Sequence, residues 1–470
     1  MVKKRKIADL NLISMFEIKK KEYVNLADAL LIEGSKYIKL PSIHGTRGVL
    51  PPKEEKSNLP KGNLNLGVND PEDDPEPVFI DTGGYRITMA VIAPPRTGKS
   101  TFMINMAHQL HLYENQNILF TDPKKTQLTN ASEPQNNPEY IKLLKIAGFS
   151  PKSFYWIRNY IPEFICEPEQ TLPNNTRKFI LSIRNFLENR AMAERNIRSF
   201  IGDIPEDSAA GEILSNAITM LYDIRRRPIE YQKFPVTTNL FRRFMTVEMQ
   251  RQQEIKEEAG ARDVRNIATT ALVRLMNKMD NHLLSDNPKY NFDFAKEIND
   301  CGFINLLTDL TSDNLKLNAA IAVVFGQIVN DMRKKAKLRT PYRKLTICID
   351  EADYLIGNFR FRSPARDLLN LIINKFGEYG VSVIFNTQSM GLLDTDTTLP
   401  NIDYIITTRP DDPKMRELLR AKGIDDDTLD RLMNLKREEG KHPQFACILP
   451  NKKIKKFYII PNMTKHIPRR

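Results

Sequence analysis

Apolar positions follow two rhythms along most of the chain. Near-continuous apolar runs predict buried parallel strands at Ile87 to Ala93, Asn117 to Asp122, Gly302 to Asp309, Lys344 into Asp350, Val381 to Phe385 and Tyr404 to Thr408. Between them, apolar residues recur at helical spacing. Met103/Met106/Ala107/Leu110 mark one helix, Ile321/Val324/Phe325/Ile328/Val329/Met332 a second, and Leu368/Leu369/Ile372/Ile373/Phe376 a third. Ser363-Pro364 announces the third as an N-cap followed by proline in the first turn. Helices around Met415/Leu418/Leu419 and Leu429/Leu432/Met433 follow, and a strand pair, Phe445 to Leu449 and Lys456 to Ile460, closes the pattern. Alternating strands and helices predict an α/β core built on a mostly parallel sheet.

Two stretches break the alternation. Residues 126–299 show helical groupings instead, at Phe179/Ile183/Phe186/Leu187, Leu214/Ala217/Ile218/Leu221 and Ala268/Ala271/Leu272/Leu275/Met279, and are expected to form an inserted all-helical domain. Residues 1–80 are expected to be a small N-terminal region and linker, with weak pattern at Tyr23 to Ile32 and Tyr37 to Leu40. The acidic, Pro-punctuated segment Asn69 to Pro77 reads as a linker or an exposed loop. The core then comprises residues 81–125 and 300–470.

Composition narrows the class. With 470 residues and 41% hydrophobic content the chain has room for two or three domains with real cores, and 27% charged residues favour a soluble protein. No run approaches the ~20 apolar residues of a membrane helix. The basic start M-V-K-K-R-K lacks the apolar core of a secretion signal, and Val2 excludes myristoylation. The four cysteines, Cys166, Cys301, Cys348 and Cys447, are widely spaced, and no C-x-x-C pairs with His108 and His111, which argues against structural zinc and for a reducing cytoplasm. Net charge is +12, read as a well-solvated surface or as a match to a polyanion. Between Arg177 and Lys278 stand 14 Arg and 4 Lys against 13 acids; Arg333 to Lys344 is strongly basic; residues 451–470 hold seven cations and no acid. Cations at a helix C-terminus are also favoured by the helix dipole alone.

Chemistry enters at Ala93-Pro94-Pro95-Arg96-Thr97-Gly98-Lys99-Ser100-Thr101, between the first core strand and its helix. This is the pattern of a phosphate-binding loop, with Ala93 where glycine is commonest. Backbone N–H groups at a helix N-terminus wrap phosphates, Lys99 reaches the β and γ oxygens of ATP, and Ser100 offers a hydroxyl to Mg²⁺. Gly98 lets the backbone approach where a Cβ would collide. Downstream, K-L-T-I-C-I-D-E ends a buried strand in two acids. Asp350 is placed to hold Mg²⁺, and Glu351 to orient and deprotonate an attacking water. The strand Val381 to Phe385 runs into Asn386-Thr387-Gln388, where a neutral amide, Gln388, can sense the γ-phosphate or position water; the plainer reading is a polar strand end.

The order of these motifs resembles the HerA/FtsK superfamily, which includes conjugative coupling proteins and viral packaging motors. The resemblance covers residues 85–125 and 300–460. It implies a RecA-like core in a ring, usually hexameric, that pumps double-stranded DNA using ATP and Mg²⁺. It implies that Lys99 and Ser100 are phosphate and magnesium ligands, Asp350 and Glu351 the acidic pair, and Gln388 the sensor. Asp122-Pro123-Lys124 matches a D-P-K element, followed here by Lys125-Thr126 where relatives continue G-E. Relatives carry an arginine shortly before the sensor strand; this chain has Lys375-Phe376-Gly377-Glu378-Tyr379, so Arg409 is the substitute candidate for a finger reaching a neighbouring subunit. The expected activity is an ATP-driven DNA translocase. The rivals are a motor moving proteins in secretion or pilus assembly, and a non-hydrolysing, ATP-gated DNA-binding scaffold.

Overall fold

The computed structural model describes residues 63–71, 76–82, 86–122, 157–166, 176–187, 190–201, 204–205, 207–226, 236–258, 270–273, 275–277, 284–287, 289, 291–308, 314–353, 364–388, 398–436 and 443–459. The chain divides at 47/48, and every described residue belongs to the second unit, 48–470. The patterns at Tyr23 to Ile32 and Tyr37 to Leu40, the Pro123-Lys124 part of the D-P-K element, Ser363 and the last residues of the basic C-terminus lie outside the described residues.

The described strands are β1 (Asn63–Val68), β2 (Pro77–Asp81), β3 (Thr88–Ile92), β4 (Asn117–Asp122), β5 (Arg158–Pro162), β6 (Thr176–Phe179), β7 (Phe303–Leu307), β8 (Leu345–Ile349), β9 (Val381–Thr387), β10 (Tyr404–Thr407), β11 (Gln444–Ile448) and β12 (Ile454–Tyr458). They form one sheet in the order β2-β1-β12-β11-β10-β3-β9-β8-β4-β7-β5-β6. From β10 through β6 all neighbours are parallel, and from β10 back to β2 they are antiparallel. The fold is therefore the expected mixed α/β architecture with a mostly parallel sheet.

The helices are α1 (Lys99–Leu112), α2 (Ile183–Phe186), α3 (Arg190–Ile201), α4 (Ala209–Arg226), α5 (Thr238–Glu258), α6 (Phe294–Cys301), α7 (Asn314–Lys337), α8 (Pro364–Lys375), α9 (Pro413–Ala421) and α10 (Asp426–Met433). Core strands are buried along their whole length because helices cover both faces. Alternate side chains feed two cores. Ala90, Ile92 and Leu119 pack with α3, α4, α7 and α8, whereas Met89, Val91, Ile118 and Phe120 pack with α1. Among the described residues no helix is long and apolar enough to cross a membrane.

The structure differs from the sequence reading at two places. The 126–299 stretch is not helical throughout, because β5 and β6 extend the parallel sheet. β6 is T-R-K-F with one buried residue, too polar to read as a core strand, and Phe179 ends that strand rather than opening a helix. Likewise β1 and β2, inside the stretch expected to precede the core, are strands of the same sheet. Of the acidic segment between them residues 72–75 lie outside the described residues, and at its ends Asn69 N–H donates to the Glu76 carbonyl at 2.9 Å. Asn65 hid β1 from hydropathy. It is fully buried because the Gln109 side chain of α1 acts as a strand partner, accepting from Asn65 N–H and donating to its carbonyl, both at 2.9 Å.

Candidate active site

Parallel strands place their C-terminal ends, and the loops that follow, on one edge of the sheet, where open α/β folds bind ligands. At that edge β3 leads through residues 93–98 into α1. Arg96 has a φ of 61° and Gly98 a φ of 95°. The two left-handed residues curl the loop back over the helix N-terminus. Gly98 is required by this conformation: a Cβ there would meet only Ile459, at an ordinary 3.6 Å. The expected crowding is not found within the chain. Gly98 caps α1 without a side-chain acceptor, so the first N–H groups of the helix keep no cap from that side chain.

Lys99 is buried, with its Nζ donating to the carbonyls of Ala93 at 2.5 Å and Pro94 at 2.9 Å. Its ammonium is thus held inside the loop's curl. Thr97 Oγ1 steadies the same loop on the Pro94 carbonyl at 2.9 Å. Ser100 Oγ then donates to Asp350 Oδ1 at 3.1 Å, across 250 residues of sequence. Between β3 and β8 lies β9, whose C-terminal residues complete the edge. Asn386, fully buried, donates from Nδ2 to Asp350 Oδ1 and accepts the Glu351 N–H at 2.7 Å. Glu351 N–H also donates to Asp350 Oδ1 at 3.1 Å, and Glu351 itself sits half-buried at a φ of 48°. Asp350, only 4% exposed, therefore gathers a hydroxyl, an amide and a backbone N–H on one oxygen. Its charge reaches back along the strand: burial, and then Asp350, push the Cys348 thiol well above its ordinary range.

A hydroxyl and a carboxylate oxygen at hydrogen-bond distance, beside a buried ammonium and a helix N-terminus, form a donor set that suits Mg²⁺ with phosphate. Mg²⁺ takes one or two protein oxygens and fills its remaining positions with water and phosphate. Ser100 and Asp350 fit that requirement. Among the described residues no group of three His, Cys, Asp or Glu offers an all-protein metal cage.

No protein-family model matches the sequence, and no curated protein matches it. Solved structures do. VirB4 of Thermoanaerobacter pseudethanolicus superposes with a TM-score of 0.52 at 14% identity, covering 86% of this chain and 97% of that one. The bacterial conjugative coupling protein TrwB, in its unbound monoclinic form, gives 0.48 at 15% identity over 89% and 94%. The genome packaging NTPase B204 from Sulfolobus turreted icosahedral virus 2 gives 0.26 at 18% identity over 35% and 71%. Of these three, the VirB4 likeness shows the fold.

The chain has the RecA-like P-loop NTPase fold.

Within this fold the expected residues fall as follows. Residues Ala93 to Thr101, with Asp350 and Glu351, meet at the C-terminal edge of the sheet. Gln388 sits one residue past β9, exposed, with its backbone N–H donating to Asp353 Oδ2 at 2.6 Å. Arg409 follows β10 on the same edge; it is 44% exposed and paired through Nε with Asp411 at 2.7 Å. Asp122, at the end of β4, is buried, and its carbonyl accepts from Thr308 N–H at 2.8 Å.

Two residues were missed. Asn386, rather than Gln388, is the β9 amide that touches the acidic pair. Its signal was register: Ile349 pairs with Phe385, which puts Asn386 beside Asp350. Asp353 holds Thr387 Oγ1 at 2.7 Å as well as the Gln388 N–H, tying the acidic loop to the end of β9. Nothing in the sequence separates it from an ordinary surface acid.

Proposed function

We propose that the chain is an ATP-hydrolysing motor that translocates double-stranded DNA. One observation carries the hydrolytic part: the Ser100 hydroxyl meets the Asp350 carboxylate at 3.1 Å beside the buried Lys99 ammonium. Ser100 and Asp350 would hold Mg²⁺, which supplies charge neutralisation at the β and γ phosphates. Lys99 exchanges two loop carbonyls for phosphate oxygens, a stronger, charge-assisted set of bonds. Glu351 orients and deprotonates the attacking water. Asn386 keeps Asp350 and the Glu351 backbone in register, and Gln388, one residue past β9, senses the γ-phosphate or positions the water. In a ring, Arg409 leaves Asp411 to reach the neighbouring subunit's γ-phosphate. The DNA cargo is supported by the +12 net charge and its clustering, and by the resemblance in motif order.

The test is ATP turnover by the purified full chain, with and without duplex DNA, over a salt series. Turnover abolished by Lys99→Ala and stimulated by DNA in a salt-sensitive manner is expected. Turnover indifferent to DNA at every salt concentration overturns the cargo and leaves the ATPase. No Lys99-dependent turnover overturns both.

A further inference from the structure

A polar cleft of about 270 Å³ opens between α2, α6 and α7, and its lining shares no residue with the phosphate loop or the acidic pair. One face of α7 contributes Gln327, Asp331 and Lys334, spaced i, i+4 and i+7. Arg184 and Asn185 of α2 line a second side, and the segment that leads into α6 a third. α7 starts at Asn314, after the C-terminal end of β7. At roughly 1.5 Å per residue, Gln327 lies about 20 Å along the helix from that start.

The fold leaves Gln327 unsatisfied. It is 8% exposed, and its Oε1 is buried without a hydrogen-bond partner. A buried carbonyl that has lost water and gained no donor opposes folding, so packing does not explain an amide here. Asn185 Oδ1 is committed to Ser182, accepting its N–H at 2.7 Å and its hydroxyl at 2.9 Å, which leaves Nδ2 as the donor this amide brings to the cleft. Phe292 supplies an apolar wall. Arg177 covers its ring at 5.9 Å and Tyr160 meets it edge to face at 5.2 Å, which holds that wall in place. Both acids of the cleft are engaged. Asp331 Oδ2 accepts from Lys335 at 2.7 Å and from Asn299 Nδ2 at 3.3 Å, and Asp293 caps α6 by accepting Lys296 N–H at 3.1 Å. Arg184 and Lys334 bring positive charge to the same space.

We propose that this cleft binds an adenine nucleotide, at a site separate from the phosphate loop. A glutamine carboxamide matches the adenine edge in both directions: Oε1 accepts from the N6 amino group and Nε2 donates to N7. Guanine presents two acceptors there, O6 and N7, and leaves Oε1 without its donor. The base packs against Phe292. The phosphate lies toward Lys334 and Arg184, whose planar fork takes phosphate oxygens bidentately. The volume is at the small end of ligand clefts and suits one mononucleotide rather than a strand. Neither hydrolysis at Lys99 nor DNA binding is needed for this site.

The test is calorimetric binding of adenosine monophosphate to the full chain, compared with guanosine monophosphate and inorganic phosphate. This probe lacks the β and γ phosphates that Lys99 is placed to hold. Adenosine monophosphate is expected to bind about tenfold more tightly than guanosine monophosphate, the discrimination one bidentate pair supplies. Its binding is expected to persist in Lys99→Ala. Gln327→Leu is expected to weaken it about tenfold while the melting temperature stays at or above the parental value, because the unsatisfied carbonyl is gone. Arg184→Gln, at an exposed position, is expected to weaken both mononucleotides and keep their ratio. No saturable binding, equal binding of the two mononucleotides, inorganic phosphate competing as strongly as adenosine monophosphate, or parental affinity in either cleft variant overturns the proposal. Loss of binding in Lys99→Ala also overturns it, because the nucleotide then sits at the phosphate loop.

Discussion

Asn386→Ala removes the one buried amide that holds the two halves of the acidic pair. In the parental chain its Nδ2 donates to Asp350 Oδ1 and its Oδ1 accepts from Glu351 N–H at 2.7 Å, with no solvent exposure. A hydrogen bond to a charged group contributes ~1.5–3 kcal/mol, and a buried donor left unpaired costs ~1–3 kcal/mol. Asp350 keeps Ser100, and Glu351 N–H keeps Asp350 as a weaker 3.1 Å acceptor, so the net loss of stability is about 3 kcal/mol. Groups that orient a metal's ligand without touching the metal typically alter activity 10–100-fold, and turnover is expected to fall by about that much. Thr346→Val is the control. It deletes a comparable buried bond, Thr346 Oγ1 to Gln116 Oε1 at 2.6 Å, near the start of the neighbouring strand β8, whose far end leads into Asp350. It is expected to lower stability by ~1–3 kcal/mol and leave turnover within twofold. The assay is denaturant unfolding alongside steady-state phosphate release. Equal turnover losses in both variants, or parental turnover in Asn386→Ala, would refute the positioning argument.

Three further outcomes follow from the same geometry. Glu351→Gln is expected to bind ATP with near-parental affinity, read by a fluorescent nucleotide, while turnover falls ~10²–10⁴-fold as the general base is lost. Gly98→Ala forces a left-handed alanine, costs ~1–2 kcal/mol and shifts Lys99, so a lower melting temperature and weaker Mg-ATP binding are expected together. Burial pushes the Cys301 thiol up to about 11 and those of Cys348 and Cys447 higher still, leaving half-buried Cys166 the most reactive. Because thiolate is the reacting form, N-ethylmaleimide at pH 8 is expected to label the folded chain first at Cys166, as read by peptide mass spectrometry; first labelling at Cys348 would contradict the packing.

Continuous apolar runs made β3, β4, β7, β8, β9 and β10 legible, because strands covered on both faces need no polar alternation. That residues 93–98 and Asp350-Glu351 would follow buried strands was legible for a related reason: each ends such a run. What escaped notice was polar and long-range. Asn65 is buried in β1 only because Gln109 completes its backbone pairing, a fact of α1 packing rather than of local pattern. β6 is too short and too charged to announce itself. Asn386 and Gln388 share a strand-face parity, so the chain alone could not tell which amide meets the acids; the pairing of β9 with β8 decides it.

The central claim is that Ser100 and Asp350 serve one Mg-nucleotide, and a double-mutant cycle on phosphate release tests it most directly. Ser100→Ala and Asp350→Asn are each expected to depress kcat/KM, and the double variant to be scarcely worse than the more damaged single, because both remove the same metal contact. Losses that multiply in full, or either single variant hydrolysing ATP at the parental rate, would contradict it.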